Sequence, residues 1–375
     1  MDINYHYYVT HTAAMAAGFS ANDALLIARA AQYVDDCKNE TTQTPGQTIL
    51  NNFSDSCCAH QRELQKIANI WPIFHFLPGD KPQIEPLLDN DLKNTSTHSQ
   101  KRLYASLICG TESSLVNDIV NDARSVVQQS RAAQTPGAPI FTDSVLLYIG
   151  ITMHVLADTY AHQGFAGVPM GSINDAYDVM KLESGVYKTM PYIYGPAPSE
   201  ESFGNLGHSR MGHLPDCPGL ILSYQPAWTP SGSRLRITRD NPMEFCRAFL
   251  EMLTALLYIS APQQANAFQL HISPADVINP DRPIGNLSLT QRLNVKNAFS
   301  NSPEDSNLPL QWFPNGAQNT DILNYPMPVP YVVLEPPEAT ALLHTDFLTQ
   351  ANQFRTNVIG HSTALQNLNA YIATL

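Results

Sequence analysis

Residues 142–162, TDSVLLYIGITMHVLADTYAH, constrain the fold more than any other stretch of this chain. Apolar side chains recur on every side of a helix built from it, so the segment belongs at the centre of a core. Three polar side chains interrupt it at intervals of four: His154, Asp158 and His162. Positions i, i+4 and i+8 lie within about 80° of one another on an α-helix, so all three project from one face. Burying them without partners would be costly, and imidazole nitrogen with carboxylate oxygen is the donor set of a zinc site without thiolates. The helix stops at Gly164, just past the last of them.

Other helices are expected around this one. Residues 20–37 open with a Ser cap and an Asp three positions on, then carry Leu25, Leu26, Ala28, Ala31 and Val34 at helical intervals. Residues 64–70, 103–129, 242–260 and 338–373 read the same way, bounded by Pro or Gly clusters, and 242–260 begins with Pro at a first-turn position. The connections 191–238 and 262–333 are Pro/Gly-rich, with a short strand possible at 331–334. The expected fold is mainly α: a multi-helix metal-binding domain with long irregular loops over residues 1–260, a Pro/Asn-rich irregular insertion or extension over 261–335, and a C-terminal helix over 336–375 packing on the core.

Charged residues are only 14% of the chain, against the roughly 25% usual for soluble domains. The balance is acidic, 21 Lys+Arg against 33 Asp+Glu for a net charge of −12, and no basic run occurs. Binding to duplex nucleic acid through a Lys/Arg footprint is therefore disfavoured. Six cysteines without C-x-x-C spacing suggest neither a disulfide framework nor a zinc finger. No signal peptide and no uninterrupted apolar run of about 18 residues is visible, which leads one to expect a cytoplasmic protein or export by a signal-peptide-independent route. Neither glycine fingerprint of nucleotide-binding folds, no G-x-S-x-G elbow and no His-Asp dipeptide occurs.

Further ligand-capable residues lie along the chain in a set order. His6 and His11 sit in YHYYVTH, Asp35-Asp36 ends the first helix, His75 stands in IFHFLP, and the loop 207–216 carries His208, Arg210, His213 and Asp216. Read in isolation, His75 has the surroundings of a satisfied core histidine. The succession of an N-terminal His, an Asp, a lone His, H-x3-D with a further His, and a His followed by another ligand resembles the zinc-dependent phospholipases C and fungal-type single-strand nucleases. The nearest likeness is to a bacterial branch with the strings HYY, QYVDD and HFLP, over about residues 1–260.

This resemblance implies an all-α domain holding two or three zinc ions. One ion would be held by Asp36 or Asp35, His75, His154 and Asp158, with Asp158 bridging to a second that takes His6. The third would take His162, His208 and His213 or Asp216. Three departures stand out: three residues rather than five separate Asp158 from His162, Gly212 occupies the position of the family's last acid, and Asp2 stands near the place of a processed N-terminal Trp. The implied activity is metal-dependent phosphodiester hydrolysis, with a carboxylate of Asp35-Asp36 taking a proton from water and Arg210 contacting phosphate as a fork of donors. The acidic composition favours a phospholipid headgroup, with transient contact to a membrane surface, over a polynucleotide. A single-strand nuclease, another phosphoesterase, and a non-catalytic metal-stabilised interaction protein are the alternatives.

Overall fold

The computed structural model describes residues 1, 3–37, 61–80, 96–111, 113–135, 139–190, 203–229, 235–261, 267–269, 271–302, 312–313, 320–331 and 340–374. Asp2 and most of the strand expected at 331–334 lie outside them. The chain starts with a π-helical segment, Asn4–Val9, which runs directly into α1 (Thr10–Ala16). After the turn at Gly18 comes α2 (Ala21–Asp36), whose Ser20 side chain accepts from the Asp23 amide at 3.2 Å. Helix α3 (Gln61–Ile70) leads into a second π-helical segment, Trp71–His75.

The single helix expected over 103–129 is two: α4 (Ser96–Ala105) and α5 (Ser114–Ala133). The break is tertiary in origin. Cys109 pairs with Pro78 and exchanges backbone hydrogen bonds with Gly164 and Phe165, while the Ser113 hydroxyl, which caps α5, also donates to Pro78 O at 2.7 Å. Helix α6 (Asp143–Ala161) follows, capped by Thr142, then the short α7 (Gly171–Asn174).

The mainly-α expectation holds, with a correction. Residues expected to be irregular contribute to a four-stranded antiparallel sheet ordered β2-β1-β3-β4, formed by β1 (Ala176–Glu183), β2 (Val186–Thr189), β3 (Ile221–Pro226) and β4 (Ile237–Asp240). Its first hairpin turns at Ser184 and Gly185, both with positive φ (49° and 80°), as a two-residue turn between right-twisted strands requires. Strand β4 passes without a loop into α8 (Asn241–Ser260), with Asp240 as cap and Pro242 in the first turn. Among the described residues of 261–335 are two helices, α9 (Pro274–Ile278) and α10 (Leu289–Ser300), each opened by a Ser capping box. The last expected helix is divided by Ser362 into α11 (Thr340–His361) and α12 (Thr363–Ile372).

Helix α6 is the axis of the core. From Val145 to Ala161 every residue is buried, and α2, α5, α8, α11 and the π segment Trp71–His75 pack around it. Among the described helices it alone is long and apolar enough to cross a membrane, yet 94% of that stretch is enclosed by protein, as for a core helix. Side chains from Tyr5 to Ile372, including Ile272, Val295 and Trp312, form one continuous apolar cluster. Gly150 lets α2 and α6 meet closely: a Cβ there would lie 2.5 Å from Ala30 Cβ and 2.5 Å from Ile27 O. One turn further along the same face stands His154, whose Nδ1 reaches Ala31 O at 2.8 Å.

Candidate metal centre

Five segments converge at the C-terminal half of α6. His154 and Asp158 come from the helix and His162 from its C-cap, Asp35 from the last turn of α2, and His6 and His75 from the two π segments. His208 precedes a 3-10 turn at Ser209–Met211, and Asp216 closes another at Leu214–Asp216. π-Helices are rare and occur mostly where a functional side chain is re-aimed, and here each of the two carries one histidine of the cluster. Their register is set by packing, so no sequence period announces them.

Three groups of donor atoms fall within 4.8 Å of one another: His6, Asp35 and His154; His75, His154 and Asp158; His162, His208 and Asp216. Asp158 links them. Its Oδ1 lies 3.1 Å from His6 Nε2, and its Oδ2 lies 3.2 Å from both His75 Nδ1 and His154 Nε2. Asp35 stands 3.8 Å from His6 and from His75, and 3.9 Å from His154. In the third group His162 Nε2 is 3.3 Å from Asp216 Oδ1 and His208 Nε2 is 3.5 Å from Asp216 Oδ2. Donors bound at about 2.0–2.1 Å around a tetrahedral ion lie about 3.3 Å apart, and the contacts around Asp158 and Asp216 run from 3.1 to 3.5 Å, those of Asp35 from 3.8 to 3.9 Å.

Backbone carbonyls fix three of the imidazoles. His154 Nδ1 donates to Ala31 O at 2.8 Å, His162 Nδ1 to His75 O at 2.5 Å and His208 Nδ1 to Gly212 O at 2.8 Å. A carbonyl oxygen can only accept, so in the neutral ring the proton sits on Nδ1 and the Nε2 lone pair faces the carboxylates. Gly212 adopts φ 57° and ψ −137°, a region closed to other L residues, and this aims its carbonyl at His208.

Electrostatics favour the ligand states. Burial pushes the His6 imidazole down to about 4, helped by His154 stacked on it at 3.9 Å, and burial lowers His208 to about 4 against the pull of Asp216. Burial disfavours the charged form of Asp158, but His162, the Met1 amine, His154 and His6 together hold its carboxyl well below the usual range. Burial likewise opposes Asp216, and the Met1 amine with His208 and His162 outweighs it. The Met1 α-amine is 2.6 Å from Asp158 Oδ1 and 3.4 Å from Asp216 Oδ1. Neither ring nitrogen of His6, nor Asp216 Oδ1, has a hydrogen-bond partner of proper geometry, although all are buried. Orphaned donors and acceptors of this kind suit a bound cation, and the residues present fit zinc.

The remaining candidates are placed elsewhere. Asp36 points away from the cluster, accepting from the Tyr331 hydroxyl at 2.7 Å and from Gln32 at 3.4 Å. His213 has a side chain 90% exposed and lies 3.7 Å from Asp216, outside the three groups. Arg210, expected at phosphate, is buried in an ion pair with Asp175 at 3.3 Å. His11 is buried in α1 and belongs to none of the groups. Sequence reasoning did not foresee the Met1 amine or the Gly212 carbonyl. A cleft of about 530 Å³ opens beside Gln163 and Gly164, walled by Tyr224, Trp228, Arg239 and Glu244, and no member of the three groups lines it.

No curated protein and no solved structure matches this chain. Residues 1–304, which include every member of the three groups, match the model described as a family of unknown function (DUF6765), and the chain belongs to that family.

Proposed function

We propose that this protein is a zinc-dependent phosphodiesterase that hydrolyses a phospholipid headgroup in the manner of phospholipase C. The observation that carries the metal reading is the set of three imidazoles, each tethered through Nδ1 to a backbone carbonyl with Nε2 turned toward Asp158 or Asp216. Phosphodiester chemistry is favoured by the resemblance in ligand order and by the linking of two groups through one carboxylate. His6, Asp35, His75, His154 and Asp158 would hold one pair of ions, and His162, His208 and Asp216 a further one. Zinc bound there supplies Lewis-acid stabilisation of phosphoryl oxygens and lowers the pKa of water.

The chain's own groups divide the work by exposure. Asp158 is 1% exposed and serves to hold charge in place, whereas Asp35, with a side chain 24% exposed, can take a proton from the solvent side. Arg210, held by Asp175, leaves phosphate recognition without that guanidinium. This favours a second reading, a metal-stabilised protein without catalysis.

Metal analysis of the purified protein, followed by assays on phosphatidylcholine and on single-stranded nucleic acid with and without chelator, separates the readings. At least two equivalents of zinc and chelator-sensitive release of a phosphorylated headgroup are expected. Less than one equivalent of metal sinks every reading here. Cleavage of nucleic acid alone points to the nuclease, and loss of folding on chelation without any hydrolysis points to the structural role. Asp158→Asn should abolish metal binding and activity together.

A further inference from the structure

His162 and Asp216 belong to segments with no shared secondary structure. His162 ends α6, and Asp216 sits in the turn Leu214–Asp216, whose own backbone bonds are Asp216 N to His213 O at 2.9 Å and Cys217 N to Leu214 O at 3.3 Å. Such a turn does not by itself determine where the Asp216 carboxylate stands relative to the helix end. Two buried side chains at the junction of β4 and α8 supply that relation.

Asn241, fully buried, directs its amide Nδ2 at three carbonyls of the turn: Leu214 O at 3.0 Å, Pro215 O at 3.4 Å and Cys217 O at 2.7 Å. Arg239, 4% exposed, donates through Nε to Asn241 Oδ1, and through Nη2 to Tyr160 O at 2.6 Å and Pro215 O at 3.4 Å. Tyr160 lies between Asp158 and His162, and Pro215 is the neighbour of Asp216. One guanidinium nitrogen therefore bridges the two ligand-bearing segments, and the Asn amide holds the turn through three of its carbonyls. All the acceptors outside the pair are backbone carbonyls, so the pair acts through fixed geometry. The planar fork of arginine suits this role and the point charge of lysine does not.

We propose that Arg239 and Asn241 are positioning residues for the third metal group: they set the separation of His162 from Asp216 and thereby its affinity for a divalent ion. Partners one layer out from metal ligands typically account for 10–100-fold in affinity. The inference rests on the metal reading above and names a determinant of it outside the ligands.

Its test compares wild type with Arg239→Lys and with the shape-conserving Asn241→Asp, using zinc alone and cobalt as a spectroscopic probe. Zinc affinity is read by competition with a chromophoric chelator, the ligand field by cobalt absorption, and the melting temperature is taken with and without zinc. Wild type binding no zinc defeats the metal reading itself, before any variant is made. With wild type loaded, the expected result is a 10–100-fold weaker binding of one equivalent, an altered cobalt spectrum for that equivalent, and a smaller zinc-induced rise in melting temperature. A variant whose metal-free melting temperature falls while every equivalent keeps its wild-type affinity and spectrum overturns the proposal and leaves the pair a purely structural role. If Asn241→Asp does not fold, Arg239→Lys, which keeps charge and stem, decides by the same readings.

Discussion

Gly150→Ala sets two physical effects against each other, and the structure says which prevails. Alanine is the better helix former by about 1 kcal/mol, so propensity alone predicts a more stable protein. The added Cβ would lie 2.5 Å from Ala30 Cβ and from Ile27 O, where apolar contacts settle at about 3.5–4.0 Å, so α2 and α6 must part by about 1 Å. Overpacking of this kind costs about 1–3 kcal/mol, and one of the two obstacles is backbone. The same movement stretches His154 Nδ1 to Ala31 O from 2.8 Å to about 3.8 Å, beyond hydrogen-bond range, leaving a buried donor unsatisfied for about 1–3 kcal/mol more. The net expectation is destabilisation of about 1–5 kcal/mol, read as a lower urea midpoint in metal-free buffer. Zinc affinity should fall together with it by about 10–100-fold, because the ring that presents Nε2 has lost its tether. A variant as stable as wild type, with unchanged zinc affinity, would refute the claim that the close approach at Gly150 serves the site.

Other perturbations test other parts of the argument. Gly212→Ala forces a φ of 57° on a residue with a Cβ, at a cost of about 1–3 kcal/mol, and turns the carbonyl away from His208; one zinc equivalent should be lost by metal analysis while the group around Asp158 keeps its own. Asp35→Asn should reduce bound zinc, whereas Asp36→Asn should leave it unchanged, since Asp36 accepts from Tyr331; equal losses from both refute the assignment of Asp35. Burial raises the Glu251 carboxyl from its ordinary 4.5 to about 7, so between these values the folded state keeps a proton that the unfolded state releases. That contribution is full below pH 4.5 and is lost as pH rises through 7, at up to about 1.4 kcal/mol per pH unit. Glu251→Gln keeps the acceptor for the Ile272 amide and should pull ahead of wild type in urea midpoint at pH 8 while matching it near pH 4.5.

The helical face of His154 and Asp158 is legible because 3.6-residue geometry makes it a local property, and so is the cap at Ser20. Long-range geometry decided the rest. Asp35 and Asp36 are adjacent acids at one helix end, about 100° apart, and only the packing of α2 on α6 turns the first inward. Between His213 and Asp216 the fold of the turn decides, leaving the His213 side chain 90% exposed and Asp216 buried, and such a turn has no sequence period. The sheet is hard to read from the sequence for a related reason. Strand β2 is exposed along its whole length and β1 buries only Ala176 and Val179, so the alternation that marks a half-buried strand is missing. The division of 103–129 likewise depends on Cys109 finding Pro78 and Phe165, partners 31 and 56 residues away in the chain.

The chain's acidity bears on the proposed substrate through the site as well as through the surface. Asp35, Asp158 and Asp216 bring three carboxylates to one cluster, and burial pushes the His6 and His208 imidazoles down to about 4. Counting the three carboxylates and the Met1 amine paired with them, the metal-free site carries −2 and would repel a phosphodiester; two divalent ions change −2 to +2, and three change it to +4. Metal loading on this reading controls substrate binding as well as the chemical step, so the metal-free protein should show no affinity for inorganic phosphate while the loaded protein binds it. The positive field this creates is confined to the cluster, because the rest of the chain stays at an excess of acids with no basic run to extend it along a polymer. A compact headgroup needs only that local field, whereas a polynucleotide draws most of its affinity from cations spread along its backbone. On this electrostatic ground the lipid headgroup ranks ahead of the nucleic acid as the substrate to try first.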